Sequence, residues 1–183
     1  KVINSLEKHS KNFINLSPFV VISSKGKNGH ADVSPRGDSV GFVKIQDDKT
    51  IIIPDRSGNN RLDTLENIIF DPSVGTLFFI PGINTVLRIN GNAFIEDSLE
   101  IRAQFEINNN IPKTCIIINI EEIFMHCAKA LMRSAFWDHS KYLSQTEFPT
   151  ISNIINDQIN LKDDEQNHEQ EDKRYKKQII DFG

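Results

Sequence analysis

Between residues 19 and 127 the chain repeats one pattern: a short β-branched or aromatic run closed by a tight polar turn. Residues 19–23 (FVVIS) read as a strand, 25–29 (KGKNG) as its turn and 30–34 (HADVS) as the returning partner. Residues 41–45 and 50–54 make a second pair across a Gln-Asp-Asp-Lys turn. Residues 74–80 (VGTLFFI) are apolar enough for a strand buried on both faces. Residues 85–96 and 114–127 are long strands, and Gly91, in the middle of the first, predicts a bulge or sharp bend. Connections this short favour antiparallel pairing, and the order of elements is not a βαβ series. The expected product is a small closed or split β-barrel with helices at its ends.

Helical periodicity flanks this β core. Val2, Ile3, Leu6, Phe13 and Leu16 recur at helical spacing over residues 1–16. Ser17-Pro18 ends that helix, because the residue before proline is driven out of the α region. A second helix is predicted over 60–70, burying Leu62, Leu65, Ile68 and Ile69 and closed by Asp71-Pro72. Ser98 caps a short helix over 98–105, and 129–137 forms a short helix or ordered turn. Three regions are expected: a helix over 1–17 packing on the barrel, the barrel over 18–150, and a tail over 151–183. The tail is rich in Asn, Asp, Glu, Gln and Lys, and is either a solvated helix or partly disordered.

A length of 183 residues suits one domain with a real core. A formal charge of −4 without a Lys/Arg-dense face argues against nucleic acid as a partner. Cys115 and Cys127 lack ligand spacing and the histidines are scattered, so neither a disulfide framework nor a metal site is expected. No apolar run is long enough to cross a bilayer and no secretory signal is present, so a cytoplasmic protein with no membrane partner is expected. The sequence opens at Lys rather than Met, which predicts an upstream segment.

Candidate chemistry gathers in two polar loops. Asp55-Arg56-Ser57-Gly58-Asn59-Asn60-Arg61 brings guanidinium groups, a hydroxyl and amides to a predicted helix N-terminus. There, unpaired N–H groups and the helix dipole favour an anion, and arginine matches a phosphate edge. Neither GxxxxGK(S/T) nor GxGxxG is present, and ordinary turn chemistry yields similar junctions. The second loop is Ser34-Pro35-Arg36-Gly37-Asp38. If the loops meet at one end of a barrel, Arg36, Arg56 and Arg61 form a positive cluster suited to an anionic ligand. The alternative is that each pairs with Asp38, Asp55 or Asp63 and serves structure only.

Arg88 shares a strand face with Val86 and Asn90 and either meets solvent or donates to a carbonyl of a ligand. Lys129 and Arg133 are four residues apart on one helical face, and Trp137 extends that face by a turn, offering a flat apolar surface to a planar ring. The bland counterpart is a tryptophan that closes the barrel. His126 and Cys127 are adjacent at a strand end and point opposite ways, which argues against a nucleophile pair. No catalytic residue is assigned; hard chemistry, if any, falls to a cofactor.

Four segments in register carry a resemblance: ADVSPRGD (31–38), IPDRSGNNRLDTLENI (53–68), LRINGNA (87–93) and HCAKALMRSAFWD (126–138). Together they resemble the pyridoxamine 5′-phosphate oxidase-like class of FMN-binding split-barrel flavoproteins, and within it a bacterial FMN-dependent subgroup without an assigned substrate. The resemblance implies a mainly β fold with peripheral helices, a six-stranded antiparallel Greek-key split barrel that forms a homodimer with FMN at the subunit interface. It implies phosphate donors at Asn59, Asn60 and Arg61, with Arg56 and Ser57 as neighbours. Ser34, Pro35, Arg36 and Gly37 would lie along the isoalloxazine, with Arg36 reaching the cofactor. Lys129, Arg133 and Trp137 would approach the flavin from the second subunit.

The departures from that family bear on activity. The family's C-terminal Arg-x-His pair and basic terminus are replaced by KRYKKQIIDFG, and Val86 and Arg88 occupy the face where its flavin-contacting glutamine stands. Vitamin B6 oxidation is therefore not expected. The expectation is an FMN-dependent oxidoreductase making a two-electron step at flavin N5 on an unidentified small molecule, with NAD(P)H as reductant. Rival expectations are a non-catalytic flavin carrier or sensor, or a barrel holding a deazaflavin or haem.

Overall fold

The structure, a computed structural model, describes residues 1–56, 62–161 and 167–182. Among these residues one antiparallel sheet is built from β1 (Phe19–Lys25), β2 (Ala31–Gly37), β3 (Lys44–Asp47), β4 (Thr50–Pro54), β5 (Ser73–Phe79), β6 (Val86–Glu96) and β7 (Cys115–His126). The order across the sheet is β2-β1-β5-β6-β7-β4-β3. The split-barrel class is as expected, but the described strands number seven rather than six. The four-residue β3 is an edge strand that pairs only with β4.

Period-two alternation decides which side chains make the core. On β1, Val20 and Ile22 are buried inside while Phe19 and Val21 face outward. On β5, Val74, Thr76 and Phe78 are buried, whereas Gly75, Leu77 and Phe79 are only partly covered. The expectation of burial on both faces of this segment therefore fails: Leu77 and Phe79 belong to a half-exposed outer surface. Both-face burial is found instead on β4, where Ile51, Ile52, Ile53 and Pro54 are all buried. There Ile52 joins Phe105, Cys115 and Ile117 in a second small core on the opposite face of the sheet.

Gly91 does mark a bulge, at the register shift between Asn90 and Gly91 in the β6–β7 pairing. A Cβ at Gly91 would lie 2.1 Å from the Asn119 carbonyl oxygen. The β7 backbone can approach this closely only because the position carries no side chain.

The N-terminal helix α1 spans Lys8–Leu16, shorter than the predicted 1–16. Glu7 starts it by a capping box, its carboxylate accepting from the His9 and Ser10 N–H groups at 2.7 Å each. Upstream, Ile3 makes an isolated bridge with Ile123, so the apolar residues there serve the sheet rather than a helix. Helix α2 (Asp63–Phe70) buries Thr64 and Ile68. Leu62 and Ile69, expected inside, are 56% and 77% exposed, because one short helix presents only a narrow i, i+4 stripe to the sheet. Helix α3 (Leu99–Arg102) runs into a 3-10 turn at Ala103–Phe105, and α4 spans Lys129–Arg133.

The tail holds α5 (Ile151–Gln158) and α6 (His168–Phe182). Glu171 of α6 ties them together, accepting from the Ile151 and Ser152 N–H groups at 3.1 Å. No described helix is long and apolar enough to cross a membrane.

Candidate functional site at the seam of the barrel

The two ends of the sheet approach each other where β2 and β4 finish. Arg36 pairs in register with Val20, which is fully buried, so its side chain points inward and is 7% exposed. Its guanidinium donates to the Ser34 hydroxyl and, at 2.8 Å, to the Pro35 carbonyl. Burial pulls the Arg36 pKa down, and the negative charges of Asp55 and Asp32 oppose that shift. Burial pushes the Asp55 carboxyl up, while Arg36 and a 3.4 Å hydrogen bond donated by the Thr114 hydroxyl pull it back.

An ion pair crosses the same seam with the charges reversed. Arg56 Nε donates to Asp38 Oδ2 at 2.8 Å, and Arg56 NH1 donates to the Phe105 carbonyl at 2.7 Å. Both ion-pair side chains are largely shielded, at 15% and 17% exposure. The end of β2 thus supplies Arg36 and Asp38, and the end of β4 supplies Asp55 and Arg56. The expected positive cluster is corrected: among the described residues, the arginines at the seam are balanced by aspartates. A cleft of about 190 Å³ opens beside the Arg56 pair, walled in part by Phe42, Lys44 and Gln104.

Strand alternation separates the remaining candidates. Ser34 and Arg36 share the inner side of β2, whereas Pro35 and Gly37 pair with Val21 and Phe19 on the outer side. Arg88 also faces outward, paired with Leu77 and Phe124, and it is held by Glu122 at 2.5 Å with Phe124 under its guanidinium at 5.3 Å. Arg88 Nε is shielded from solvent there and has no hydrogen-bond partner among the described residues.

Trp137 lines an apolar groove of about 400 Å³ on this outer side with Phe19, Val21, Phe79, Pro81 and Phe136. Its indole N–H donates to the Ile83 carbonyl at 3.0 Å. Trp137 does not continue the face of Lys129 and Arg133, contrary to the sequence reading. Helix α4 stops at Arg133, Ala135 turns left-handed with φ 50°, and the Phe136 N–H closes on the Leu131 carbonyl at 3.1 Å. Lys129 and Arg133 are exposed. Ser57, Asn59, Asn60 and Arg61 lie outside the described residues. Within one chain, then, the structure groups Ser34, Arg36 and Arg56 at the seam and sets Pro35, Gly37, Arg88 and Trp137 on the other side of the sheet.

A family model described as pyridoxamine 5′-phosphate oxidase matches residues 6–127. The chain belongs to this family. Its barrel, from α1 to the end of β7, is the matched part, while α4 to α6 lie beyond it. The family fold superposes on the HupZ protein of Group A Streptococcus with a TM-score of 0.54 at 20% identity, over 66% of this chain and 93% of that one. A putative pyridoxamine 5′-phosphate oxidase from Lactobacillus delbrueckii subsp. superposes with a TM-score of 0.53 at 18% identity, over 67% and 95%. At these identities the likeness is one of fold. The comparison with curated proteins gives no match.

Phe105 and Thr114 are site residues that the sequence pattern does not reveal. Phe105 contributes a backbone carbonyl and Thr114 sits just ahead of β7, so neither forms part of a polar motif.

Proposed function

We propose that this chain is an FMN-dependent oxidoreductase acting on an unidentified small molecule. The observation that carries the proposal is the match of the pyridoxamine 5′-phosphate oxidase family model over residues 6–127, which span the Arg36 seam and the Asn59-Asn60-Arg61 segment. Ser34, the Pro35 carbonyl and the charge of Asp55 already accompany Arg36, so further anion donors would come from that segment. No side chain among the described residues caps the N-terminus of α2, which follows that segment. Asp63 and Glu66 in its first turn oppose an anion, so Arg61 is the group that must offset them.

The residues also suit the rest of a flavin. Asn59, Asn60 and Arg61 would hold the phosphate, and Arg36 would reach the cofactor from β2. The shielded Arg88 Nε is a donor without an acceptor among the described residues, fit for a ring carbonyl, and Trp137 offers a flat apolar wall. When bound, FMN supplies two-electron transfer at N5. Arg36 faces inward and Arg88 and Trp137 face outward, so a single chain does not bring the three to one side of the sheet. A homodimer with the flavin at its interface, and with Lys129, Arg133 and Trp137 drawn from the second copy, is therefore part of the proposal.

Purified protein tests it: a yellow preparation with flavin absorption, bleached anaerobically by NADH or NADPH, is the expected result. Colourless protein that takes up no FMN refutes it, and bound flavin that neither nucleotide reduces makes the chain a carrier. Arg61→Ala should weaken FMN by about 1.5–3 kcal/mol in a fluorescence titration.

A further inference from the structure

On the outward face of the sheet, neighbouring strands set side chains in rows that end in a polar corner. One row runs Val21–Leu77–Arg88–Phe124 across β1, β5, β6 and β7, and the next runs Ser23–Gly75–Asn90–Glu122. Val21 lines the apolar groove, so a path leads from the groove over half-buried Leu77 to Arg88, two strand spacings or about 10 Å away. In the second row Gly75 keeps the floor low: a Cβ there would lie 3.0 Å from Ser23 Oγ and 3.3 Å from Asn90 Oδ1.

At the corner, Arg88 and Asn90 donate to one and the same carboxylate oxygen, Glu122 Oε1, at 2.5 Å and 3.2 Å. Glu122 Oε2 accepts no hydrogen bond among the described residues. The Arg88 guanidinium, lying over the Phe124 ring, keeps donors that Glu122 does not use, Nε among them. The two side chains are 34% and 36% exposed, so a ligand can reach the pair, and an ion pair this open adds little stability. It presents an acceptor beside a donor with no net charge. That complements an N–H next to a carbonyl on a flat ring, and not an anion.

We propose that Glu122 and Arg88 read the imide edge of the flavin ring: Glu122 Oε2 accepts from the ring N3–H, and Arg88 donates to the adjoining carbonyl. The ring body then lies over Leu77 toward the apolar groove. The inference rests on the FMN reading above and names the groups that select the ring.

The test compares FMN with N3-methyl-FMN, which keeps the phosphate and loses the N–H, on the full chain. Affinities are measured by flavin fluorescence, and thermal midpoints by circular dichroism, for wild type, Glu122→Gln and Arg88→Leu. Wild type should prefer FMN on the order of tenfold, because a site built to accept an N–H rejects the analogue without it. Glu122→Gln is isosteric; Arg88 and Asn90 hold its amide oxygen, so its NH2 group faces the ring and the preference should fall to within about twofold. Arg88→Leu should weaken both flavins on the order of tenfold and leave the preference in place. A wild-type preference within about twofold, which needs no variant to fold, overturns the edge reading alone, as does a preference undiminished in Glu122→Gln. FMN affinity unchanged in Arg88→Leu overturns the part given to Arg88. Wild-type protein that binds neither flavin overturns the FMN reading and this one together.

Discussion

Replacing Arg36 by methionine removes a buried cation while keeping most of its apolar volume, and the consequence is dominated by Asp55. Breaking a buried ion pair costs about 3–5 kcal/mol when the remaining charge is fully enclosed. Asp55 is only half-buried, keeps the Thr114 hydroxyl and feels Arg36 through charge rather than as a contact ion pair, so the expected loss at pH 7 is smaller, about 2 kcal/mol. In a chain of this length that lowers the thermal midpoint by about 5–10 °C. The pH dependence identifies the cause. Burial already raises the Asp55 carboxyl in the folded protein. The folded state therefore holds that proton more tightly than the unfolded chain. The resulting stabilisation is complete below the ordinary carboxylate value and is lost as pH rises through the folded-state value. Without Arg36 the folded-state value climbs further, so Arg36→Met should be penalised at pH 7 and largely relieved at about pH 4.5, where the gap to wild type shrinks to about 1 kcal/mol. Urea unfolding at the two pH values measures both gaps, and Arg36→Met with Asp55→Asn should show the small gap throughout. A gap of equal size at both pH values, or no recovery in the double variant, would refute the electrostatic account of the seam.

Two further changes test the backbone that carries the site. Gly91→Ala places a Cβ 2.1 Å from the Asn119 carbonyl, and β7 must give by about 1 Å; a loss of about 3 kcal/mol is expected from thermal unfolding. Ala135→Gly should raise stability by about 0.5–1 kcal/mol, because Ala135 holds the left-handed position that ends α4; a lower thermal midpoint would contradict that cap.

The β-branched runs at 19–23 and 50–54 were legible as strands because nothing local competes with them. The glycine at position 91 was legible as a bulge because its neighbours read so plainly as strand. The half-exposed outer face was not. Leu77 and Phe79 are as apolar as Phe78, and only the pairing register says which of the three is inside. Residues 1–16 failed for a related reason: Ile3 and Leu6 repeat at helical spacing, yet Glu7 with Ser10 makes a stronger start signal than the apolar spacing upstream. At the seam, the sequence displayed the arginines and the aspartates but not which would pair. Arg56 meets Asp38, eighteen residues away, rather than the adjacent Asp55. Neighbouring positions on an extended chain point apart, so that choice is made by the closure of the barrel.

That closure also limits what can carry specificity. An ion-paired seam contributes little net field, so under the FMN reading a preference for an anion cannot come from Arg56 and would come from Arg36 only in part. Under the FMN reading, the charge that would distinguish a phosphate from a neutral group is expected in the sequence just after Arg56, where Arg61 is the one basic residue before Asp63. The paired groups serve differently: Arg56 and Asp38 join the ends of β4 and β2. Stabilising a ligand through one well-placed arginine, with its neighbours neutralised, also lowers the repulsion that several unpaired guanidinium groups would impose on the empty protein. The alternation on β2 completes the logic. By sending Ser34 and Arg36 inward and Pro35 and Gly37 outward, a single strand faces both the seam and the side of the apolar groove of Trp137, and so links two surfaces that no one side chain could reach.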